Sequence, residues 1–168
     1  ISGDFIWSYA TGREVESSPA VANGKVFVGS QDGRIYCLDE DTGDFIWSYN
    51  TGDAVDSSPA VADGKVFVGS WDIYCLDENT GKLIWSYDTG GVDSSPAVAN
   101  GKVFVGSWDD NIYCLNEDTG KLIWSYETGD WVDSSPAVAN GKVFVGSNDS
   151  KLYCLDENTG KHIRSYET

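Results

Sequence analysis

An internal repeat of about 40 residues constrains this sequence more than any other feature. The tripeptide Ser-Ser-Pro begins four times, at Ser17, Ser57, Ser94 and Ser134. Each copy contains one cysteine, and successive cysteines lie 38, 39 and 40 residues apart, at Cys37, Cys75, Cys114 and Cys154. The segment Ile-Trp-Ser-Tyr also recurs, around Trp7, Trp47, Trp85 and Trp124. Repeats of this length are typical of stacked supersecondary units.

We expect one domain over residues 1–168 with an additional outer strand at 4–9. Its four repeats span about 10–49, 50–87, 88–126 and 127–166. The chain contains no Met and begins with Ile1. This indicates a processed or trimmed chain, or part of a longer protein.

Each repeat has the pattern of four short strands, rich in Val, Ile, Phe, Tyr and Trp. In the second repeat the pattern predicts strands at Ser58–Ala62, Lys65–Ser70, Ile73–Asp77 and Lys82–Tyr87. An Asn-Gly or Asp-Gly pair after the first strand is typical of a type I′ hairpin turn. No helical period is present, and the strands carry apolar residues on both faces, so each sheet must be covered on both sides. The sequence therefore predicts an all-β fold, a β-propeller of four four-stranded antiparallel blades.

Two stretches carry a family resemblance. Ser-Ser-Pro-Ala-Val-Ala-Asn-Gly-Lys-Val-Phe-Val-Gly-Ser, followed by Tyr-Cys-Leu-Asp-Glu-Asn-Thr-Gly-Lys-Leu-Ile-Trp, resembles the pyrroloquinoline-quinone-type propeller repeat over essentially the whole chain. Its Asp-x-x-Thr-Gly-Lys-x-x-Trp part is similar to that family's tryptophan-docking motif, which implies that the Trp of one blade packs between neighbouring blades. The chain departs from the family in its repeated Cys, where Ala is more common.

The resemblance implies rings of seven or eight blades, whereas this chain has four repeats. A closed four-bladed ring, an eight-bladed ring from two chains and part of a longer array all stay open. The segment Phe5–Tyr9 is a good copy of the outermost strand, but the last repeat has Arg164 in place of the docking Trp. One interpretation is that Phe5–Tyr9 completes the last blade and displaces the terminal strand, within one chain or between two. The expected partner is a second copy completing the ring, or another protein.

The charge balance excludes several partner classes. The chain has 11 basic and 27 acidic residues, a net charge of −16, which argues against binding nucleic-acid phosphates or an anionic membrane surface. No apolar run approaches the ~20 residues of a membrane-spanning helix, so we expect no membrane insertion. The resemblance extends to bacterial outer-membrane assembly lipoproteins and archaeal surface proteins, which implies an extracytoplasmic or cell-surface location.

Catalysis is not expected. The quinoprotein dehydrogenases that the repeat resembles imply about eight blades, calcium, a catalytic Asp and often a disulfide between adjacent cysteines. Here no cysteines are adjacent, the acids recur in every blade, and His162 is the only histidine, which we expect at a surface or edge. The four cysteines are predicted to be buried free thiols, because equivalent positions in different blades diverge.

Two sets of residues are candidates for binding. Glu16, Asp56, Asp93 and Asp133 precede the Ser-Ser-Pro segments, and closure would gather them around the axis as a solvated acidic rim or as oxygen ligands for calcium. The connections that vary between repeats contain Trp71, Trp108 and Trp131, and we expect them on one face. They are either interface anchors or sugar-stacking platforms, or each folds back over its own blade. The sequence therefore predicts a non-catalytic binding or scaffold domain. The alternatives are a fragment of a quinone- and calcium-dependent dehydrogenase, or an engineered repeat protein without a natural ligand.

Overall fold

A computed structural model describes residues 3–167 and confirms the all-β architecture. Four separate sheets each contain four antiparallel strands, and the strand order within each sheet follows the chain. Within residues 3–167 no helix is long and apolar enough to span a membrane.

The sheets are called blades 1 to 4 in chain order. Blade 1 contains β1 (Ala20–Ala22), β2 (Lys25–Ser30), β3 (Arg34–Asp39) and β4 (Phe45–Asn50). Blade 2 contains β5 (Ala60–Ala62), β6 (Lys65–Gly69), β7 (Asp72–Asp77) and β8 (Leu83–Asp88). Blade 3 contains β9 (Ala97–Ala99), β10 (Lys102–Gly106), β11 (Asn111–Asn116) and β12 (Leu122–Glu127). Blade 4 contains β13 (Ala137–Ala139), β14 (Lys142–Ser147), β15 (Lys151–Asp156) and β16 (His162–Glu167).

The strand bounds in blade 2 agree with the predicted ones except at the start of the first strand. Strand β5 begins at Ala60 and not at Ser58, because Pro59 has no N–H to donate to the ladder. The other three strands agree to within one residue at each end. The hairpin turns have the backbone that the sequence predicts, with φ values of 52° at Asn23 and 74° at Gly24.

The first strand of each blade lies innermost, and the blades follow one another in chain order. Strand β1 packs against β5, β5 against β9, and β9 against β13. Within residues 3–167 no packing of comparable extent joins β13 back to β1. The four blades therefore form an open arc, and the single chain does not close a four-bladed ring.

The core consists of three buried clusters, each between two successive blades. Between blades 1 and 2, Trp47 packs at 5.8 Å from the ring of Phe27, and its indole Nε1 donates to the Glu78 carbonyl at 3.0 Å. The indole covers Gly81, where a Cβ would lie 2.6 Å from the ring. Trp85 and Trp124 make the equivalent contacts at the next two interfaces. The docking role implied by the repeat motif is confirmed for all three.

The amino-terminal segment does not complete the last blade of its own chain, which was one of the two forms of that expectation. Residues 5–9 form no strand in this chain, and blade 4 is completed by its own β16, with Arg164 opposite Cys154. Trp7 instead docks on blade 1, donating to the Glu40 carbonyl at 3.0 Å and covering Gly43. The reason is the open arc, which places blade 1 and blade 4 at opposite ends, so that residues 5–9 have no neighbouring strand to pair with.

All four cysteines are buried and unpaired, as the sequence predicts. Burial raises the pKa of Cys37, Cys75 and Cys114 to about 12, which disfavours their reactive thiolate forms. His162 lies exposed in β16, where it stacks on Tyr126 at 6.0 Å.

The docking contact generates a stability prediction on a matched pair of glycines. Gly120 and Gly101 both have positive φ, but an added Cβ meets the Trp85 ring at 2.6 Å only at Gly120, and nothing within 4 Å at Gly101. Both Ala substitutions strain the left-handed backbone, at about 1–2 kcal/mol. We expect Gly120→Ala to cost about 1–3 kcal/mol more than Gly101→Ala, because it also displaces the indole. Equilibrium urea unfolding measures both, and equal losses would contradict the packing role of Trp85.

Candidate functional site

Two kinds of loop meet on one face of the arc, called the loop face. They are the inter-blade loops 51–59, 89–96 and 128–136, and the loops inside the blades at 31–33, 70–71, 107–110 and 148–150. Backbone hydrogen bonds join the two kinds: the Trp108 N–H donates to the Gly91 carbonyl at 3.0 Å, and the Asn148 N–H to the Trp131 carbonyl at 2.8 Å. The side chains of both kinds of loop are therefore held in fixed relation to one another.

The three candidate tryptophans form a row along the loop face. Trp71 and Trp131 are 53% and 50% exposed, and Trp108 lies half-buried between them. The rings of Trp108 and Trp131 stack with centroids 5.8 Å apart and planes 25° apart. Trp108 also lies directly against Gly91, where any larger side chain would collide with its ring. The structure thus brings together three residues that the sequence predicts only to share a face.

A cavity of about 100 Å³ separates Trp71 from Trp108. Carboxyl groups of Asp56 and Asp93 line it, together with Asp53, Ala54 and Ser70. The Oδ1 atom of Asp56 is buried and accepts no hydrogen bond from residues 3–167. We call Trp71, Trp108, Trp131, Asp56 and Asp93 the tryptophan groove.

The acids predicted to ring the axis act on one another electrostatically. Partial burial raises the pKa of Asp93, and the charges of Asp56 and Asp133 raise it further, with a smaller contribution from Glu16. A hydrogen bond from Trp108 to Asp93 opposes this shift in pKa. The Nδ2 atom of Asn148 donates a hydrogen bond to the Asp133 carboxylate at 2.9 Å. The structure therefore gathers the three aspartates near the loop face.

The gathered acids do not form a ready coordination sphere. Among residues 3–167, no three His, Cys, Asp or Glu side chains are arranged to hold one metal ion. Asp56 and Asp93 offer the oxygen donors that calcium prefers, and calcium binding stays a prediction.

Sequence reasoning missed the residues that position the groove. The Ser70 hydroxyl donates to the carbonyls of Asp53 at 3.0 Å and Ala54 at 2.9 Å, which ties the inter-blade loop to blade 2. The available signal was the serine at the end of the second strand, or directly after it, in every repeat, at Ser30, Ser70, Ser107 and Ser147. Its constancy among variable loops indicates a structural role beneath the face that carries the tryptophans.

The arrangement suits a cationic ligand. Indole faces attract ammonium and guanidinium groups, and carboxylates beside them supply the opposite charge. The groove is less suited to acid–base or nucleophilic chemistry, because the only histidine of the sequence, His162, lies on β16 outside the groove.

The electrostatics of the groove predict a pH-dependent gain in stability on neutralising Asp93. The pKa of Asp93 is raised above the ordinary 3.8, which means that folding favours the protonated carboxyl. The stability gained from this protonated form is fully present below pH 3.8 and is lost as the pH rises through the raised pKa. We expect Asp93→Asn to raise the thermal unfolding midpoint by about 1–3 °C at about pH 7 in a chelating buffer, and to leave it unchanged at about pH 3.

The matched control is Asp41→Asn, an exposed aspartate on the opposite, outer turn of blade 1. It is expected to shift the midpoint little at either pH. An Asp93→Asn midpoint that falls at neutral pH would contradict the predicted repulsion among the acids.

Comparison with known proteins places this geometry in a family. The profile of the family described as outer membrane protein assembly factor BamB matches residues 2–73 and 69–167, which is nearly the whole chain. No curated protein matches it.

Three solved structures illustrate the shared fold. BamB from Moraxella catarrhalis is 24% identical, with a TM-score of 0.85 over 96% of this chain and 52% of that chain. A quinohemoprotein alcohol dehydrogenase, ADHIIG from Pseudomonas putida HK5, is 22% identical, with a TM-score of 0.84 over 95% of this chain and 35% of that chain. The computationally designed Ika8 protein is 21% identical, with a TM-score of 0.77 over 88% and 48%.

The chain spans about half the length of the first of these proteins and about a third of the second. Since the family profile covers the chain and the blades superpose on propellers of the same kind, the chain belongs to the BamB-like, pyrroloquinoline-quinone-type β-propeller repeat family.

Proposed function

We propose that this protein is a non-catalytic propeller module that binds a cationic segment of a protein partner in the tryptophan groove. One observation carries the proposal: a row of three tryptophans, two of them half exposed, borders a cavity lined by Asp56 and Asp93. Lysine and arginine side chains have the charge and the flat or extended stem that such a site binds best.

The rest of the molecule supports a cationic partner. A net charge of −16 creates a negative field that draws positively charged segments toward the surface and repels acidic ones. Stacking and backbone hydrogen bonds already hold Trp108, so that side chain loses little freedom when a ligand binds.

The family supports a binding role over catalysis. Its profile is named for an outer membrane assembly factor, and the proposal extends to an extracytoplasmic location of the same kind. A catalytic site needs an asymmetric set of groups, whereas the acids here recur at equivalent positions of four similar blades. The second candidate, a quinone-dependent dehydrogenase, rests on the likeness of the fold to ADHIIG.

Titration with an oligolysine peptide, followed by tryptophan fluorescence and calorimetry, tests the proposal. We expect saturable binding that weakens with added salt, and a dissociation constant about tenfold higher for Trp71→Ala. Asp56→Asn should weaken binding as well, whereas the controls Ile123→Ala and Asp41→Asn, both exposed and outside the groove, should leave it unchanged.

Three results would count against the proposal. They are equal affinity of Trp71→Ala and wild type for the peptide, binding of neutral oligosaccharides in place of the peptide, and dye-linked alcohol oxidation after addition of pyrroloquinoline quinone and calcium. The last would establish the dehydrogenase alternative.

A further inference from the structure

The two ends of the arc each show half of a contact set that is complete at every interface inside it. The leading edge is the outward side of blade 1 and carries Trp7, Val15, Ser18 and Glu40. The trailing edge is the outward side of blade 4 and carries Ser135, Lys142, Phe144 and Gly146.

The first contact is an ion pair. Inside the arc, Lys25 pairs with Glu78 at 3.1 Å, and the same pair recurs as Lys65 with Glu117 and Lys102 with Glu157. The three glutamates are only 3–4% exposed. At the trailing edge the equivalent Lys142 has no carboxylate within ion-pair distance in residues 3–167, and at the leading edge the equivalent Glu40 is exposed. Each edge thus presents one charge of the missing pair.

The second contact is a valine seated on a glycine of the preceding blade. Val55 lies against Gly29, with Val92 on Gly69 and Val132 on Gly106 in the same way, and all three valines are buried. At the leading edge Val15 is 47% exposed. At the trailing edge the position beside Gly146 meets only the side chain of Ser134. The leading edge therefore exposes a valine, and the trailing edge exposes the glycine on which the equivalent valines pack at the inner interfaces.

A hydrogen bond repeats with the same period. The Ser18 N–H donates to the Ser58 hydroxyl at 2.9 Å, the Ser58 N–H to Ser95 and the Ser95 N–H to Ser135, each at 3.0 Å. The series stops at the trailing edge, where the Ser135 N–H would need the hydroxyl of another Ser18 to continue it.

The fourth contact is the docked tryptophan itself. Trp47, Trp85 and Trp124 each lie between a phenylalanine of their own blade and the Thr-Gly turn of the next. Trp7 already occupies the turn of blade 1 but lacks a phenylalanine. Phe144 lacks a tryptophan, since Arg164 stands at that position and a cavity of about 250 Å³ remains between them.

We propose that a second copy of this chain covers both edges, so that two arcs close one ring of eight blades with two-fold symmetry. Glu40, Val15 and Ser18 of each copy meet Lys142, Gly146 and Ser135 of the other. The curvature supports two arcs per turn, because this arc superposes along its length on about half of each of two larger propeller chains, BamB from Moraxella catarrhalis and Ika8.

The closed ring also exchanges a strand. An Arg164 side chain in β16 and the Trp7 indole of the second copy cannot both lie between Phe144 and the docking turn. All six residues of β16 are exposed, so this strand contributes no side chain to the buried core of blade 4. Residues 5–9 of each copy therefore replace β16 in blade 4 of the other, which restores the docked tryptophan at the fourth and eighth interfaces.

Mass in solution, by light scattering and analytical ultracentrifugation at micromolar concentration, is the first test. The ring requires twice the chain mass of 18.2 kDa. A mass equal to one chain overturns the proposal, and is the result expected if further blades of a longer protein cover the edges. An open series of larger oligomers overturns it as well.

Charge reversal tests the edge pairing. Lys142→Glu and Glu40→Lys each place like charges together at both junctions, so we expect the dimer dissociation constant to rise about tenfold per junction, or about a hundredfold in all. The double variant restores the pair with reversed polarity and should return the constant to within a few fold of wild type. Lys121→Glu, which makes the same charge change as Lys142→Glu at an exposed position away from both edges, is the control for that variant.

Equal dissociation constants for the two single variants and the control overturn the pairing. The pairing is also overturned if the dissociation constant of the double variant rises by the product of the two single effects. Circular dichroism separates dissociation from unfolding, and it is expected to be unchanged because neither side chain forms an ion pair within residues 3–167.

Two substitutions test the exchanged strand. Trp7→Ala removes the docked indole and should raise the dissociation constant more than a hundredfold, whereas Arg164→Ala should leave it unchanged, because Arg164 lies outside the exchanged junction. A dimer that tolerates Trp7→Ala overturns the exchange, and so does a dimer that dissociates with Arg164→Ala. The peptide titration of the tryptophan groove is independent of these results, since that groove lies within blades 2 to 4.

Discussion

The rest of the structure depends on one contact, an indole seated on the Thr-Gly turn of the next blade. A blade of four short strands has two apolar faces and cannot bury either alone. Trp47 covers one of these faces by packing on Phe27 of its own sheet and on Gly81 of the next blade. Its indole N–H donates a hydrogen bond to the Glu78 carbonyl. Because Gly81 has no side chain, the ring lies flat on the backbone and fixes the distance between blades.

This contact separates the parts of the repeat that must stay constant from those that are free to vary. The strands and the docking turn are held by packing on both sides, so their residues recur with little change. On the loop face, the buried valines Val55, Val92 and Val132 belong to the clusters between blades, whereas the side chains of the three candidate tryptophans do not. Trp71, Trp108 and Trp131 are accommodated there without disturbing the stack, which is why the differences between repeats, and the candidate site, occur on that face.

Charge follows the same division. The glutamate after the third strand is neutralised between blades by a lysine, as in the pair of Lys102 with Glu157. Hydrogen bonds from Asn100 and from Lys102 lower the pKa of the Glu157 carboxyl. Within residues 3–167 the aspartates near the axis form no such ion pair. Partial burial, followed by the charges of Asp56 and Asp133, raises the pKa of Asp93. The acidic chain is thus neutral where the blades pack and negative where a ligand approaches.

The number of blades, the hairpin turns, the docking tryptophans and the burial of the cysteines can all be predicted from the sequence, because each depends on residues a few positions apart or on the repeat. The acids and tryptophans of the candidate site can be located in the same way. The folded structure alone shows that the arc stays open, that residues 5–9 dock through Trp7 without forming a strand, and that Trp108 stacks on Trp131 beside Asp93. Curvature is the sum of small rotations between whole blades, and loop side chains are placed by neighbours about 20 to 40 residues away, so no local pattern encodes either.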